Sequence, residues 1–503
     1  MANTVLLIRY FEALSILNSN LAKTVVLFVL LLSPLPASGK NFVLTIGGGY
    51  APSGNQASLE KNVLLFQRVL AGESDRVHQH DIFFADGKDD AADLQVHDPS
   101  QVPLANRLMA ELFGSTRDLG LSYRDHEVTD ARSASKPANI KAWFAERGPQ
   151  MKDGDTLTIY VTAHGHRSRD RNREYNTSIA MWGNSALKMT EFAKLLDDLD
   201  PSVNVVMVMV QCYTGGFSHL MYRGGDPSKG LSPQKRVGFY ATVHDRPAAG
   251  CTPSVDEANY VEYSTYFWAA IAGTDRSGNS IDPPDYDKDG RVSLEEAHAY
   301  TILNADTIDV PVKTSGEYLG TFSRFGKDND ELLQNDEPYS VVLKHASPVQ
   351  KVVLTRLSKK LKLDGENRLV DAWQKTRSDR RRRRGPVQTS SGTKNKIAAD
   401  LKKRWPELAN TMNPVSIELL TTRQQEFVDA VQNHPLYKKY KGETDEAKSR
   451  PDETETRAQF ERFLRVADNV VLAENLRRMN KPKQLKQYQQ IIAAERDVFL
   501  SAK

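Results

Sequence analysis

The sequence predicts an α/β architecture: a doubly wound, mostly parallel sheet with helices on both faces, followed by an all-helical C-terminal region. Three observations predict it. From Phe42 onward, short apolar strand-like runs alternate with amphipathic stretches, the pattern of strands joined by helical crossovers. The central run VNVVMVMV is near-continuously apolar, and TLTIYVT is dominated by apolar and β-branched residues, as in strands covered on both faces. Past about residue 345 the strand signal stops, and apolar residues recur at three- and four-residue spacing.

The elements follow in order. The nine apolar residues 24–32 (TVVLFVLLL) stand between Lys23 and the Pro- and Ser-containing segment ending at Gly39. A helix that short does not cross a bilayer, which takes about 20 residues. Charge, short apolar stretch and small residues make residues 1–39 a secretory signal cut after Gly39. An exported mature chain, periplasmic or extracellular and without a transmembrane span, is therefore expected; an uncleaved membrane anchor is the alternative. Strands are predicted at Phe42–Gly47, Asp81–Ala85, Thr156–Thr162, Val203–Val210 and Val237–Val243, with helices at Ala57–Leu70, Pro137–Arg147 and Thr190–Leu199. They make residues 40–345 one α/β domain, with its functional groups expected at the carboxyl ends of the strands. Residues 346–379 read as a helical connection, 380–393 (RRRRRGPVQTSSGT) as a basic linker and 394–503 as a helical C-terminal region.

At 503 residues, 40% apolar and 26% charged, the chain has a globular composition too long for one compact core. Its net charge of +3 hides an asymmetry: residues 351–503 carry +14 and residues 1–350 carry −11. That split predicts docking of the tail on the body, or an acidic partner for the tail. The tail lacks regularly interleaved aromatics, so nucleic acid is not an expected partner. Two cysteines, Cys212 and Cys251, allow one disulfide or two thiols with different roles.

Chemistry concentrates at two strand ends. The third strand runs out at Ala163-His164-Gly165-His166, and the fourth at Gln211-Cys212-Tyr213-Thr214-Gly215-Gly216. Neighbouring parallel strands lie about 4.8 Å apart, so their ends reach one site. A thiol is mostly protonated near neutral pH, and a neighbouring imidazole supplies the base that makes it a nucleophile. Gly165 lets backbone approach a substrate, and its amide with that of Cys212 suits a developing oxyanion. Thr214, Gly215 and Gly216 suit a tight turn.

The His-Gly and Gln-Cys-Tyr-Thr-Gly-Gly elements, their order and spacing, and the opening FVLTIGGGY resemble the legumain and caspase group of cysteine peptidases, in motif style closest to legumain. The overlap runs from about Phe42 to Ala272. The resemblance implies a caspase-like sheet, Cys212 as nucleophile, His164 as acid and base, and an oxyanion hole from the Gly165 and Cys212 amides. It also implies that the segments after the nucleophile, Phe239–Thr242 and Tyr263–Trp268, build the pocket for the residue before the cut bond. Asn55, Gln211, Thr242 and Gly250 are the substrate-binding positions expected on this basis, with Asn55 placed to orient the imidazole and Cys251 lining the pocket wall. Two departures matter. Legumain's Glu two positions before the nucleophile is here Val210, and its Arg-His pair falls in Gly54-Asn55-Gln56-Ala57. Neither the asparagine nor the aspartate preference of the group therefore transfers.

A second motif, Asp285-Tyr-Asp287-Lys-Asp289-Gly290-Arg291-Val-Ser293-Leu-Glu-Glu296, fits the twelve-residue calcium loop. Its carboxylates stand at positions 1, 3 and 5, Gly at 6, the Arg291 carbonyl at 7, Ser293 at 9 and Glu296 at 12. Pro283 and Pro284 exclude the usual entering helix, so a lone Ca2+ loop capping a helix over Leu294–Leu303 is expected. Gly47-Gly48-Gly49 lacks the full phosphate-binding patterns. Asp81, Asp86, Asp89, Asp90 and Asp93 read as a solvated loop.

The sequence thus predicts an exported, calcium-binding cysteine endopeptidase acting on protein or peptide substrates, with a tail that docks on the catalytic domain and restrains it. Two alternatives stand: a transamidase or ligase using the same thiol, and a non-enzymatic caspase-like, calcium-binding interaction module.

Overall fold

A computed structural model describes residues 39–327, 331–382, 391–449 and 452–500. Apart from Gly39, the predicted leader lies outside the described residues, as does most of the arginine-rich linker. Seven strands form the main sheet: β1 (Asn41–Gly48), β2 (Val77–Phe84), β3 (Ala131–Ser133), β4 (Thr156–Ala163), β5 (Asn204–Met209), β6 (Arg236–Tyr240) and β7 (Val312–Lys313). Their order is β7-β6-β5-β4-β1-β2-β3. Every neighbouring pair is parallel except β6 with β7. The five strands predicted are present within a few residues, while the two short edge strands, β3 and β7, were not anticipated.

Strand geometry sends alternate side chains to opposite faces, and the core divides accordingly. Phe42, Leu44, Ile46, Ile159, Val161, Met207 and Met209 pack against Trp143 and Phe144 of α3 (Pro137–Arg147) and Phe192 and Leu196 of α4 (Met189–Asp197). Val43, Tyr160, Val208 and Phe239 face the other way, against Phe66 of α1 (Ala57–Ala71), Phe267 and Trp268 of α5 (Tyr263–Ala272) and Ala297 of α6 (Leu294–Asn304). Each such buried side chain contributes roughly 1.5–3 kcal/mol. The remaining helix of this half, α2 (Leu104–Phe113), lies outside both layers.

The predicted boundary near residue 345 is not a domain boundary. From Lys40 the described residues form one compact unit. An amphipathic helix must cover its apolar stripe, and the C-terminal helices cover theirs with the α/β half. After α7 (Thr314–Phe322), α8 (Tyr339–His345), α9 (Pro348–Lys360), α10 (Arg368–Arg382), α11 (Ser391–Arg404), α12 (Pro414–Glu418), α13 (Gln424–Gln432) and α14 (Tyr437–Ser449) comes the long α15 (Glu453–Arg478), then α16 (Pro482–Glu495). Phe463 and Val471 of α15 pack with Ile302 of α6 and Leu357 of α9. Leu472 and Leu476 pack with Tyr318 of α7 and Val237 of β6, and Phe499 and Leu500 join Phe66 and Trp268. Helices α11 to α14 pack instead on α2, with Ile397, Trp405 and Phe427 against Leu108 and Met109.

The C-terminal helices pack on the α/β half, but not as a basic surface on an acidic one. Its ion pairs run both ways: Arg246 to Glu461 and Lys313 to Glu495, but also Arg465 to Glu317 and Arg496 to Glu295. Among the described residues no helix is long and apolar enough to cross a membrane. The acidic cluster at β2 is a solvated loop only in its middle, where Asp89 and Asp90 are exposed. Asp81 is buried and accepts from Trp143 Nε1 at 2.9 Å and from Arg132 and Arg147, and Asp93 is buried against Asn55.

Candidate active site

The sheet order reverses between β1 and β4, the switch point where open α/β sheets leave a crevice at their carboxyl ends. Register decides what meets there. Met209 pairs with Val161, and the Val210 amide donates to the Val161 carbonyl at 3.0 Å. Three residues further along both chains, Cys212 comes abreast of His164. The next residue, Gly165, approaches the Cys212 backbone closely: a Cβ on it would overlap the Cys212 carbonyl oxygen and stand 2.9 Å from Gln211 Cγ. Only glycine fits there. The Ala180 amide donates to the His164 carbonyl at 2.9 Å beside the Gly165–Ile179 pair. Gly165 is therefore a non-hydrogen-bonded pair, and its own N–H faces away from that strand.

The loop after β1 holds the imidazole. His164 Nε2 lies 2.9 Å from the Gly54 carbonyl and 2.8 Å from Gln56 Oε1. Both are acceptors, so Nε2 carries the proton and Nδ1 is left with its lone pair. Tyr50 packs edge-on against the ring at 5.4 Å. The loop needs glycine twice: a Cβ on Gly49 would overlap the Gly54 carbonyl, and one on Gly54 would meet the Tyr50 ring at 2.5 Å. Asn55, predicted to orient the imidazole, does not. It is fully buried, its Oδ1 accepting from Gly49 N at 2.9 Å and its Nδ2 donating to Asp93. It braces the loop from within while the residues on either side hold the ring.

Cys212 sits at the opening of the turn. Tyr213 is left-handed, with φ +60°. A Cβ on Gly215 would meet His244 N at 2.7 Å, and one on Gly216 would overlap Thr177 Oγ1, so both positions need glycine. The thiol's partners are on the loop after β6: Sγ accepts from Ala248 N at 3.3 Å and lies 3.8 Å from the Ala248 carbonyl. No hydrogen bond joins Sγ to the imidazole among the described residues. Burial pushes the Cys212 thiol above its usual range, with Asp309 adding in the same direction, and burial lowers the His164 imidazole. Near neutral pH both groups are therefore uncharged, and a base-assisted attack is the chemistry open to them.

The other predicted pocket positions divide. Gln211 is 1% exposed, and neither atom of its side-chain amide has a partner. Thr242 is buried, its Oγ1 accepting from Val310 N at 3.5 Å, which makes it wall structure rather than a substrate contact. Gly250 has φ +112° and backs onto Glu262, whose Cβ would stand 3.0 Å from a Cβ there. Cys251 is a free, half-buried thiol packed with Val63 and Leu94, and burial pushes its pKa far up. The sequence reading missed Gly54, Gln56, Ala248 and two acids, Glu262 and Asp309. Asp309 Oδ1 accepts from Ala249 N at 2.6 Å.

In the predicted calcium loop, the carboxylates of Asp285, Asp287 and Asp289 converge within 4.8 Å. Lys288 and Gly290 turn the chain with φ of +66° and +85°. Asp285 accepts from the amides of Asp289 and Gly290, each at 3.0 Å. Ser293 and Glu296 do not join the three carboxylates. They form a capping box at the start of α6, and Glu296 also accepts from the Tyr286 and Asp287 amides. The Arg291 guanidinium pairs with Asp289 at 3.0 Å. The donor set is all oxygen, as calcium requires.

No protein-family model matches the chain, and no curated protein does. Among solved structures, a structural-genomics protein from Geobacter sulfurreducens aligns over 42% of this chain and 77% of its own length, at 10% identity and a TM-score of 0.25. Likeness at that level carries no argument about activity.

Proposed function

We propose that the chain is an exported cysteine endopeptidase of caspase-like fold with a calcium-binding loop. One observation supports the reading: the β4–β5 register, continued three residues past Met209 and Val161, brings Cys212 towards His164, while Gly54 and Gln56 hold the imidazole with Nδ1 unprotonated. In the reaction that follows, His164 Nδ1 takes the thiol proton as Sγ bonds to the carbonyl carbon of the peptide. The amides of Gly165 and Cys212 hold the oxyanion. The same proton then passes to the leaving amine as the C–N bond breaks, and water releases the acyl group from sulfur. Calcium at Asp285, Asp287 and Asp289 would brace the turn before α6 and act on the site through that helix. A peptide-library cleavage assay, with and without calcium and beside Cys212→Ala, tests this. Cleavage by the parent and none by the variant is expected. Equal cleavage by both would remove Cys212 from the chemistry.

A further inference from the structure

The loop that receives the thiol also leads to two carboxylates that lack sufficient partners. Ala248 bonds Cys212 Sγ, and the next amide, Ala249 N, bonds Asp309 Oδ1. With one residue step of about 3.8 Å between them, the Asp309 carboxyl lies within roughly 10 Å of the sulfur. Asp309 is 1% exposed, and its Oδ2 has no hydrogen-bond partner. Gly250, the next residue of the loop, packs on Glu262, which is 3% exposed and whose Oε2 is also unpartnered. An unpaired carboxylate buried this deeply is costly, and such groups are normally matched by a cation.

The nearby arginines do not supply it in full. The Arg462 guanidinium donates to the carbonyls of Ile302, Ala305, Thr307 and Asp309 and to Thr307 Oγ1, with no bond to the Asp309 carboxylate. Arg276 reaches Glu262 only at Oε1, at 3.3 Å, and is otherwise held by Asn62, Thr265 and Glu257. Val210, at the β5 end of the same site, brings no charge.

We propose that the wall formed by Ala248–Gly250, Asp309 and Glu262 selects a basic residue, arginine or lysine, immediately before the cut bond. This rests on the peptidase reading above. A peptide held with its carbonyl carbon at Sγ sends that side chain along the loop, and a long basic one ends at Asp309 Oδ2 and Glu262 Oε2. An acidic side chain would meet two negative charges there, and an amide would leave at least one carboxylate uncompensated.

The test uses the full-length protein and matched peptides differing only in the residue before the scissile bond: Arg, Lys, Asn, Asp or Ala. It is run beside peptidyl acyloxymethyl ketones carrying Arg, Asn or Asp, with labelling of Cys212 read by mass spectrometry. The expected result is kcat/KM for Arg and Lys roughly a hundredfold above Asn, Asp and Ala, Cys212 labelled fastest by the Arg ketone, and a lower Arg-to-Ala ratio in Asp309→Asn and Glu262→Gln. Cleavage or labelling confined to uncharged or acidic peptides overturns the basic pocket and leaves the peptidase reading standing. No cleavage of any peptide and no labelling by any ketone overturns both.

Discussion

Arg462→Met would loosen the loop around Cys212 from the far end of the chain. The guanidinium is 2% exposed and reaches α15's neighbours through Nε to the Asp309 carbonyl at 2.7 Å, Nη1 to the Ile302 carbonyl at 3.2 Å and to that of Ala305, and Nη2 to the Thr307 carbonyl at 3.0 Å and its Oγ1 at 2.9 Å. Ile302 and Ala305 stand at the end of α6, where carbonyls lack partners within the helix. Methionine keeps much of the apolar stem but donates nothing. A bond from a charged donor is worth about 1.5–3 kcal/mol, and relief of the buried charge offsets part of the total, so a net loss of about 3–5 kcal/mol is expected. Urea unfolding followed by tryptophan fluorescence measures it. A second effect acts on Asp309. Burial raises its carboxyl to about 6, and the Arg462 charge is among the influences that lower it. Without that charge the pKa rises towards neutrality, less carboxylate remains at pH 7, and the Arg-to-Ala cleavage ratio falls. A loss below about 1 kcal/mol together with an unchanged ratio would refute the view that α15 holds this loop in place.

Four further outcomes are expected. Gly165→Ala should lose at least about a hundredfold in kcat, because its Cβ must displace the Cys212 carbonyl; wild-type turnover would show that the two strand ends are further apart than described. For the free enzyme, the acid limb of kcat/KM should lie below the ordinary histidine value of about 6.5, since burial lowers His164 and activity is lost only as pH falls through that lowered pKa. Alkylation of Cys212 by iodoacetamide should rise with pH past the ordinary thiol range, in keeping with its raised pKa; a plateau near pH 7 would indicate a preformed thiolate. Calcium at a hundredfold over its Kd should stabilise the fold by about 2.7 kcal/mol and raise the melting temperature, with the effect diminished in Asp287→Asn; an unchanged melt on adding calcium or a chelator counts against the loop.

The placement of the candidate residues was legible wherever a His or Cys ends a long apolar strand. His164 and Cys212 stand after β4 and β5, whose apolar and β-branched runs mark them as covered strands. The partners that set their behaviour were not legible. A backbone carbonyl such as that of Gly54 has no residue-type signature, and Gln56 adjoins Asn55, whose amide looked equally able to hold a ring until burial gave it to Gly49 and Asp93. Asp309 lies 97 residues beyond Cys212 and reaches the site only because β7, two residues long, closes the sheet edge just after it. The domain boundary failed for a related reason. Three- and four-residue spacing shows that a helix has an apolar stripe but not what covers it.

What covers it joins the two halves of the chain at Cys212 Sγ. The Tyr213 amide donates to the Arg246 carbonyl at 2.8 Å, tying the residue after Cys212 to the loop after β6. The Arg246 guanidinium is clamped by Glu461 of α15. Two residues along the loop, Ala248 holds Sγ; one more, Ala249 holds Asp309; and the Asp309 carbonyl is held by Arg462, the neighbour of Glu461. One turn of α15 thus grips the Cys212 loop from both sides. A chain ending at Ala346 would lose both grips along with the helices that fill the α6 and α7 cores. It should therefore fail to fold rather than cleave faster, and a soluble, more active truncation would show that the α/β half stands without its tail.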